Sequence, residues 1–225
     1  MDTPVRRLIK PTTHRTVHLL NLKGVLPAPV QAEATTESDF VQLAALCPAT
    51  RHLTSQPETL QLVDRTYTPD FRVETFDGSK TVWEVKLEAN IPKYRPLFDM
   101  VAKHLAERGE HFFVISERSL RRMRQDQTVR LMLRYAKGAF ETADVERVTR
   151  YLRARPSGAS FETLTTVLGV KRELLFHLIA IRVFTVTGAA SAALGSHLIH
   201  TDFLEARDAV YLARWFGISP WRTNA

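Results

Sequence analysis

A single cysteine, Cys47, leaves this chain of 225 residues without a disulfide framework and without a cysteine-built zinc site. No apolar run approaches the roughly 18 residues that a membrane span needs. The basic residues among the first ten are followed by no apolar stretch, so no secretory leader is expected. The eight histidines include no pair at metal-ligand spacing on a shared face. No glycine-rich phosphate loop is present either, which argues against an ATP site. With 44% apolar and 24% charged residues, collagen, low complexity and wholesale disorder are excluded. What remains is a soluble intracellular protein, long enough for one large domain or two modest ones. It has no internal repeat.

Acidic residues are in short supply, and unevenly so. The net charge is +7 and the isoelectric point about 9.8, in the range of nucleic-acid-binding proteins. Between 118 and 137, seven basic residues (Arg118, Arg121, Arg122, Arg124, Arg130, Arg134 and Lys137) oppose only Asp126, leaving +6. A solvated helix face explains such a run as readily as phosphate contact does, but acid depletion favours the latter. Residues 141–225 carry 10 basic against 8 acidic residues, only +2, which favours protein docking over DNA contact there.

Along the chain, residues 1–36 read as a proline-rich basic arm with a short strand-like run at 16–22. A helix follows Thr35-Thr36, with Phe40, Val41, Ala44 and Ala45 at helical spacing. Strand-like runs then cover 51–63, 65–75 and 80–87, the last two separated by the turn signal Asp77-Gly78. After Pro92 and Pro96 a helix carries Leu97, Met100, Val101, His104 and Leu105, and Gly109 stops it. The run 111–116 has the continuous apolarity of a strand buried on both faces. This order predicts an α/β domain with a mixed sheet over 37–139. Beyond it, apolar stripes at 145–152, 161–168 and 174–179, broken at Gly169, have helix-turn-helix spacing. Two β-prone runs, 183–187 and 196–200, flank an Ala/Gly/Ser loop as a wing does. Residues 140–225 are therefore expected to form a small winged-helix-like domain, with Lys171, Arg172 and His177 as candidate DNA contacts.

The chemistry concentrates in the α/β part. Alternation puts Tyr67, Phe71 and Val73 on one face of their strand, with Thr68, Asp70 and Arg72 on the other. In the next strand Trp83, Val85 and Leu87 share one face, Glu84 and Lys86 the other. A charged pair inside an apolar strand is costly unless partnered. Asp70 and Glu84 offer the hard oxygens that Mg2+ prefers, and Lys86 is placed to orient or deprotonate a water or to stabilise negative charge. Glu37, on the preceding helix, is a third candidate carboxylate, although the helix dipole alone would favour an acid there. Gln56 is a further candidate.

Pro69-Asp70 with Glu84-Val85-Lys86 resembles the PD-(D/E)xK motif of restriction-endonuclease-like nucleases. A longer series resembles the TnsA endonuclease subunit of heteromeric cut-and-paste transposases over about residues 25–122. It comprises Glu37-Ser38-Asp39-Phe40, Gln56-Pro57, Tyr67-Thr68-Pro69-Asp70-Phe71, Trp83-Glu84-Val85-Lys86, and Gly109 with Phe112-Phe113-Val114-Ile115-Ser116. The resemblance implies a restriction-endonuclease-like mixed sheet flanked by helices, and a Mg2+-dependent endonuclease (Mn2+ substituting) that cuts the 5′ strands at transposon ends. Glu37, Asp70 and Lys86 would be catalytic. Glu84 occupies a position where the family has Gln, so either its side chain or the Val85 carbonyl is the metal ligand. Implied partners are double-stranded DNA at the element ends, an integrase-type transposase subunit and an ATP-dependent regulator, in the nucleoid of a bacterial cytoplasm. Arg118, Arg121, Arg122, Arg124, Lys171 and Arg172 are the expected DNA contacts. A stand-alone restriction or junction-resolving nuclease, and a non-catalytic DNA-bound adaptor, remain as alternatives.

Overall fold

A computed structural model describes residues 17–122, 125–187 and 197–223. The chain is mixed α/β. Its first described elements are a hairpin of β1 (His18–Leu20) and β2 (Val30–Ala32). Val25, Leu26, Val30 and Ala32 are buried, so from residue 17 onward the expected arm is instead part of the core. Prolines at 27 and 29 mark the hairpin's connection, not a detached linker. Residues 1–16 of the expected arm lie outside the described residues.

Helix α1 (Thr35–Leu46) follows, then β3 (Thr50–Ser55), a small hairpin of β4 (Leu60–Gln61) and β5 (Thr66–Tyr67), β6 (Phe71–Thr75) and β7 (Lys80–Lys86). The four-residue link between β6 and β7 turns on Gly78 at φ +87, a conformation that side chains with a Cβ rarely adopt. Asp77 secures it by accepting from the Thr75 and Ser79 hydroxyls at 2.6 Å each. Helix α2 (Ile91–Ala106) crosses from β7 to β8 (His111–Ser116), which pairs parallel to β7. The sheet order is β3-β6-β7-β8, antiparallel except for the last pair. That is the expected mixed sheet.

Alternation divides the sheet into two faces. Leu53, Phe71, Val73, Trp83, Val85, Phe113 and Ile115 enter the main core under α1. Val82 and Phe112 enter a second cluster with Leu60 and with Phe98, Val101 and Leu105 of α2. Beyond β8 lie α3 (Glu117–Leu120), α4 (Gln125–Arg134) and α5 (Thr142–Arg153). Next come β9 (Ala159–Ser160), α6 (Phe161–Leu168) and α7 (Arg172–Ala180), with Gly169 at φ +62 closing α6. Strands β10 (Phe184–Val186) and β11 (His197–His200) join β9 in a three-stranded antiparallel sheet. The loop expected at a wing tip, 188–196, lies outside the described residues.

The main apolar cluster does not stop at residue 140. It runs from Phe40 and Trp83 through Leu152, Leu164, Leu175 and Phe184 to α8 (Ala209–Phe216). Phe216 stacks on Phe40 at 5.2 Å and lies 4.8 Å from Trp83, while the Trp215 indole donates to the Leu43 carbonyl at 3.0 Å. Beyond α8 the chain passes the free edge of β8. There the Trp221 amide donates to the Phe112 carbonyl and its indole to Asp99, both at 2.7 Å. Arg182 fastens the halves again, its guanidinium donating to the carbonyls of Thr50 and Val25.

Candidate active site

The register of β6 against β7 pairs Phe71 with Trp83 and Arg72 with Val82. One step further, Asp70 lies opposite Glu84, on the face away from the main core. Asp70 Oδ2 accepts from the Val85 amide at 2.8 Å. Across β3, the Gln56 amide donates to the Asp70 carbonyl at 2.7 Å. Glu84 is only 3% exposed. Lys86 Nζ is 2.7 Å from its Oε1, and the Tyr67 hydroxyl donates to its Oε2. The Lys86 ammonium also sits 4.8 Å above the Tyr94 ring.

Glu37 enters from the first turn of α1, and its Oε2 accepts from the Glu33 amide at 2.7 Å. That bond satisfies an amide at the helix start, a role that the helix dipole alone would favour for an acid here. The four candidates Glu37, Asp70, Glu84 and Lys86 share one electrostatic environment. Burial, then the charges of Glu84 and Glu37, hold the Asp70 carboxyl well above the usual range. Burial also raises Glu37, with the Glu33 amide partly offsetting it. For Lys86, burial opposes the charge, but Glu84 and then Asp70 outweigh it and its pKa rises. Lys86 is therefore a cation at neutral pH, suited to stabilising phosphate charge more than to removing a proton. Burial and the Glu84 charge keep the Tyr67 phenol protonated, so it is the donor in its bond to Glu84.

Among the described residues, no three His, Cys, Asp or Glu side chains are arranged to hold a metal ion. The expected convergence is thus electrostatic, without closure around an ion. Each carboxylate is turned to a protein donor: Asp70 to Val85, Glu84 to Lys86 and Tyr67, Glu37 to Glu33. The donor set itself fits Mg2+, being hard oxygen throughout. Gln56, whose backbone amide donates to the Asp70 carbonyl, has its Oε1 buried with no hydrogen-bond partner among the described residues. Gln56 also holds a positive φ of 44, a strain that non-glycine residues seldom carry.

Tyr67 departs from the sequence reading. Alternation placed it with Phe71 and Val73, but the chain breaks at Pro69-Asp70 and Tyr67 belongs to the separate β4–β5 hairpin. Proline inside a strand-like run was the available signal.

Where β7 and β8 end, the Ser116 hydroxyl donates to Glu88 at 3.1 Å and also caps α3. A cleft of about 730 Å3 opens there, lined by Glu88, Glu117, Arg118, Ser119, Arg121 and Arg122. Ser116 is the register partner of Lys86, so this basic cleft adjoins the acid cluster. Arg121 differs from its neighbours: its Nε–H donates at 3.1 Å to Asp39, which is 3% exposed and also receives Arg130. It fastens α1, and with it Glu37, to the helices beyond β8. Arg122 is exposed, and Arg118 makes only a surface pair with Glu88 at 3.5 Å. Arg124 lies outside the described residues. Lys171 and Arg172 are exposed at the start of α7, whereas His177 packs on Phe140 and bonds the Tyr135 carbonyl at 2.9 Å. His177 is therefore a packing residue. Cys47 is fully buried, its thiol pushed up to about 12, in keeping with a small core residue.

The raised Asp70 pKa has a sign that can be measured. A carboxyl that keeps its proton when folded, yet loses it near 3.8 when unfolded, destabilises the native state as pH rises. The penalty is absent below 3.8 and grows upward through the folded pKa. In chelating buffer, Asp70→Asn is expected to match wild type at the acid end of this window and exceed it increasingly above. Denaturant titrations at several pH values give the two slopes, and parallel curves would show that Asp70 ionises freely.

Compared with models of protein families and with curated proteins, the chain matches none.

Proposed function

We propose that this chain is a metal-dependent DNA endonuclease of the restriction-endonuclease-like class, acting as the 5′-strand-cutting, TnsA-type subunit of a multi-protein transposase. The observation that carries the reading is the gathering of Asp70, Glu84 and Lys86 on one sheet face within the electrostatic reach of Glu37 from α1, beside a cleft lined by Arg118, Arg121 and Arg122 with Glu88 and Glu117. Asp70 and Glu84, with Glu37 and the Val85 carbonyl as further oxygens, would hold Mg2+ or Mn2+. When bound, the cation supplies charge neutralisation at the scissile phosphate and a more acidic water. Lys86 contributes a fixed positive charge, and Arg118 and Arg122 hold the DNA backbone. The helix-turn-helix and three-stranded sheet from β9 to β11 support a winged-helix reading of the C-terminal half, which would dock the ATP-dependent regulator.

The test is to map strand cuts on DNA carrying element ends, incubated with the partner transposase, the regulator, ATP and Mg2+. Cuts at the 5′ strands that require this chain support the reading, and 5′ cuts made without it overturn it. A second reading, a DNA-bound adaptor with a structural acid cluster, is favoured by the protein donor that each carboxylate already has. It expects unchanged 5′ cutting from site variants.

The arginine cleft makes a separate prediction. Replacing both Arg118 and Arg122 with Ala should flatten the log–log salt dependence of DNA binding by about 1.8, roughly 0.9 per phosphate contact. Arg121→Ala should instead lower thermal stability, because it takes a partner from buried Asp39. Fluorescence anisotropy across salt concentrations checks the first, and calorimetry the second.

A further inference from the structure

The β4–β5 hairpin leaves the site at one strand and returns to it at another. It departs just after Gln56, whose amide is bonded to the Asp70 carbonyl, and comes back at Tyr67, three residues before Asp70. Its base is tied by the Thr59 and Thr68 hydroxyls at 2.9 Å, and its turn by the Leu62 amide on the Arg65 carbonyl at 2.9 Å. Leu60, directly opposite Tyr67, is buried with Val82 and Phe98. The hairpin is thus seated on the second core cluster, and the seat fixes where the Tyr67 ring lies. From that position its hydroxyl reaches Oε2 of Glu84, the oxygen that Lys86 does not occupy.

We infer that Tyr67 is a positioning residue for the metal site, fixing the orientation in which the Glu84 carboxylate is offered to a divalent cation. This rests on the nuclease reading. A glutamate has three rotatable bonds, and Glu84 must compete for its orientation against its own salt bridge to Lys86. A phenol on a separately anchored hairpin removes that freedom without adding charge. Donors of this kind behind a ligating carboxylate commonly change metal affinity by about 10–100-fold when removed. Tyr67 touches neither substrate nor cation in this role and acts only through Glu84.

The experiment uses the full chain and Mn2+ as the probe, with Tyr67→Phe against wild type. Phenylalanine keeps the ring in its seat between Leu60 and the second core cluster and removes only the hydroxyl. Calorimetric or electron-paramagnetic titration should show Mn2+ binding weakened about 10–100-fold, with the melting temperature of the metal-free protein within about 2 °C of wild type. Mg2+ should also produce a tyrosine near-UV difference spectrum in wild type that is missing from the variant. Equal Mn2+ affinity overturns the proposal, as does a binding Mg2+ that leaves the tyrosine spectrum unmoved. Weakened binding together with a fall of many degrees in melting temperature reassigns Tyr67 to structure and overturns it too. Failure of wild type to bind either ion would bring down the nuclease reading itself, and the two failures are thereby told apart.

Discussion

Under the proposed function, Asp70→Ala is expected to leave the element joined to its donor by the 5′ strands while assembly of the transposase proceeds. The integrase-type partner would still nick and join the 3′ ends, so donor and target become covalently linked. Replication through that junction yields fused products in place of simple insertions. Lys86→Ala should act in the same direction, with 5′ cutting lowered by about 10²–10³-fold through lost charge stabilisation. Neither change touches the main core, because both side chains lie on the opposite face from Trp83 and Val85. Removing Asp70 relieves its unfavourable proximity to Glu84 and Glu37 but takes the acceptor from the Val85 amide, two effects of opposite sign on stability. The point variant is the informative reagent, since deleting the chain would also remove the half proposed to dock the regulator. Long-read sequencing of product junctions gives the result. Simple insertions at wild-type proportion would assign the 5′ cuts to another protein and hand the lead to the adaptor reading.

The second large effect is expected at α8, on the core side of the sheet that carries Glu84. Phe216 is 4% exposed and sits against Phe40 and Trp83, themselves stacked on Phe71 and Phe113. Truncating a buried phenylalanine costs about 3–5 kcal/mol, from lost transfer energy and from the cavity left behind. At about 2–4 °C per kcal/mol for a chain of this size, Phe216→Ala should melt roughly 6–20 °C below wild type. Because the cavity opens onto the sheet that carries Glu84, unfolding should remain a single transition that includes that sheet. Differential scanning calorimetry checks this. Two separated transitions, with only the later half destabilised, would show that the halves fold independently.

These two sites differ in how far the sequence announces them. Asp70, Glu84 and Lys86 are visible as charges at the wrong phase of apolar strands, and their sharing of one face follows from a period of two. Glu37 is visible as well, with its helix. Tyr67 is hidden because alternation was carried across Pro69, where the chain ends one strand and starts another. Arg121 is hidden for a different reason: a basic run says nothing about which arginine meets a buried acid 82 positions earlier. The same holds for α8 and Trp221. Only three-dimensional packing places Phe216 on Trp83 and Trp221 on the edge of β8. Local pattern marks elements and faces, whereas long-range partners arise from the closing of the whole core.

That closing also sets an order in time. Strand β8 ends at Ser116, yet the aromatic face of its sheet is covered only when Phe216, a hundred residues later in synthesis, is in place. At about 5–20 residues per second, the face waits roughly 5–20 s on the ribosome. During that interval Phe40, Phe71 and Trp83 lack their last neighbour, and the strands that carry Asp70 and Glu84 lack their final support. The candidate site therefore gains its full packing only once α8 has been made. A product truncated before α8 would bring the acidic residues and the arginines together without the packing that holds them, and on the proposed nuclease reading it should not cut.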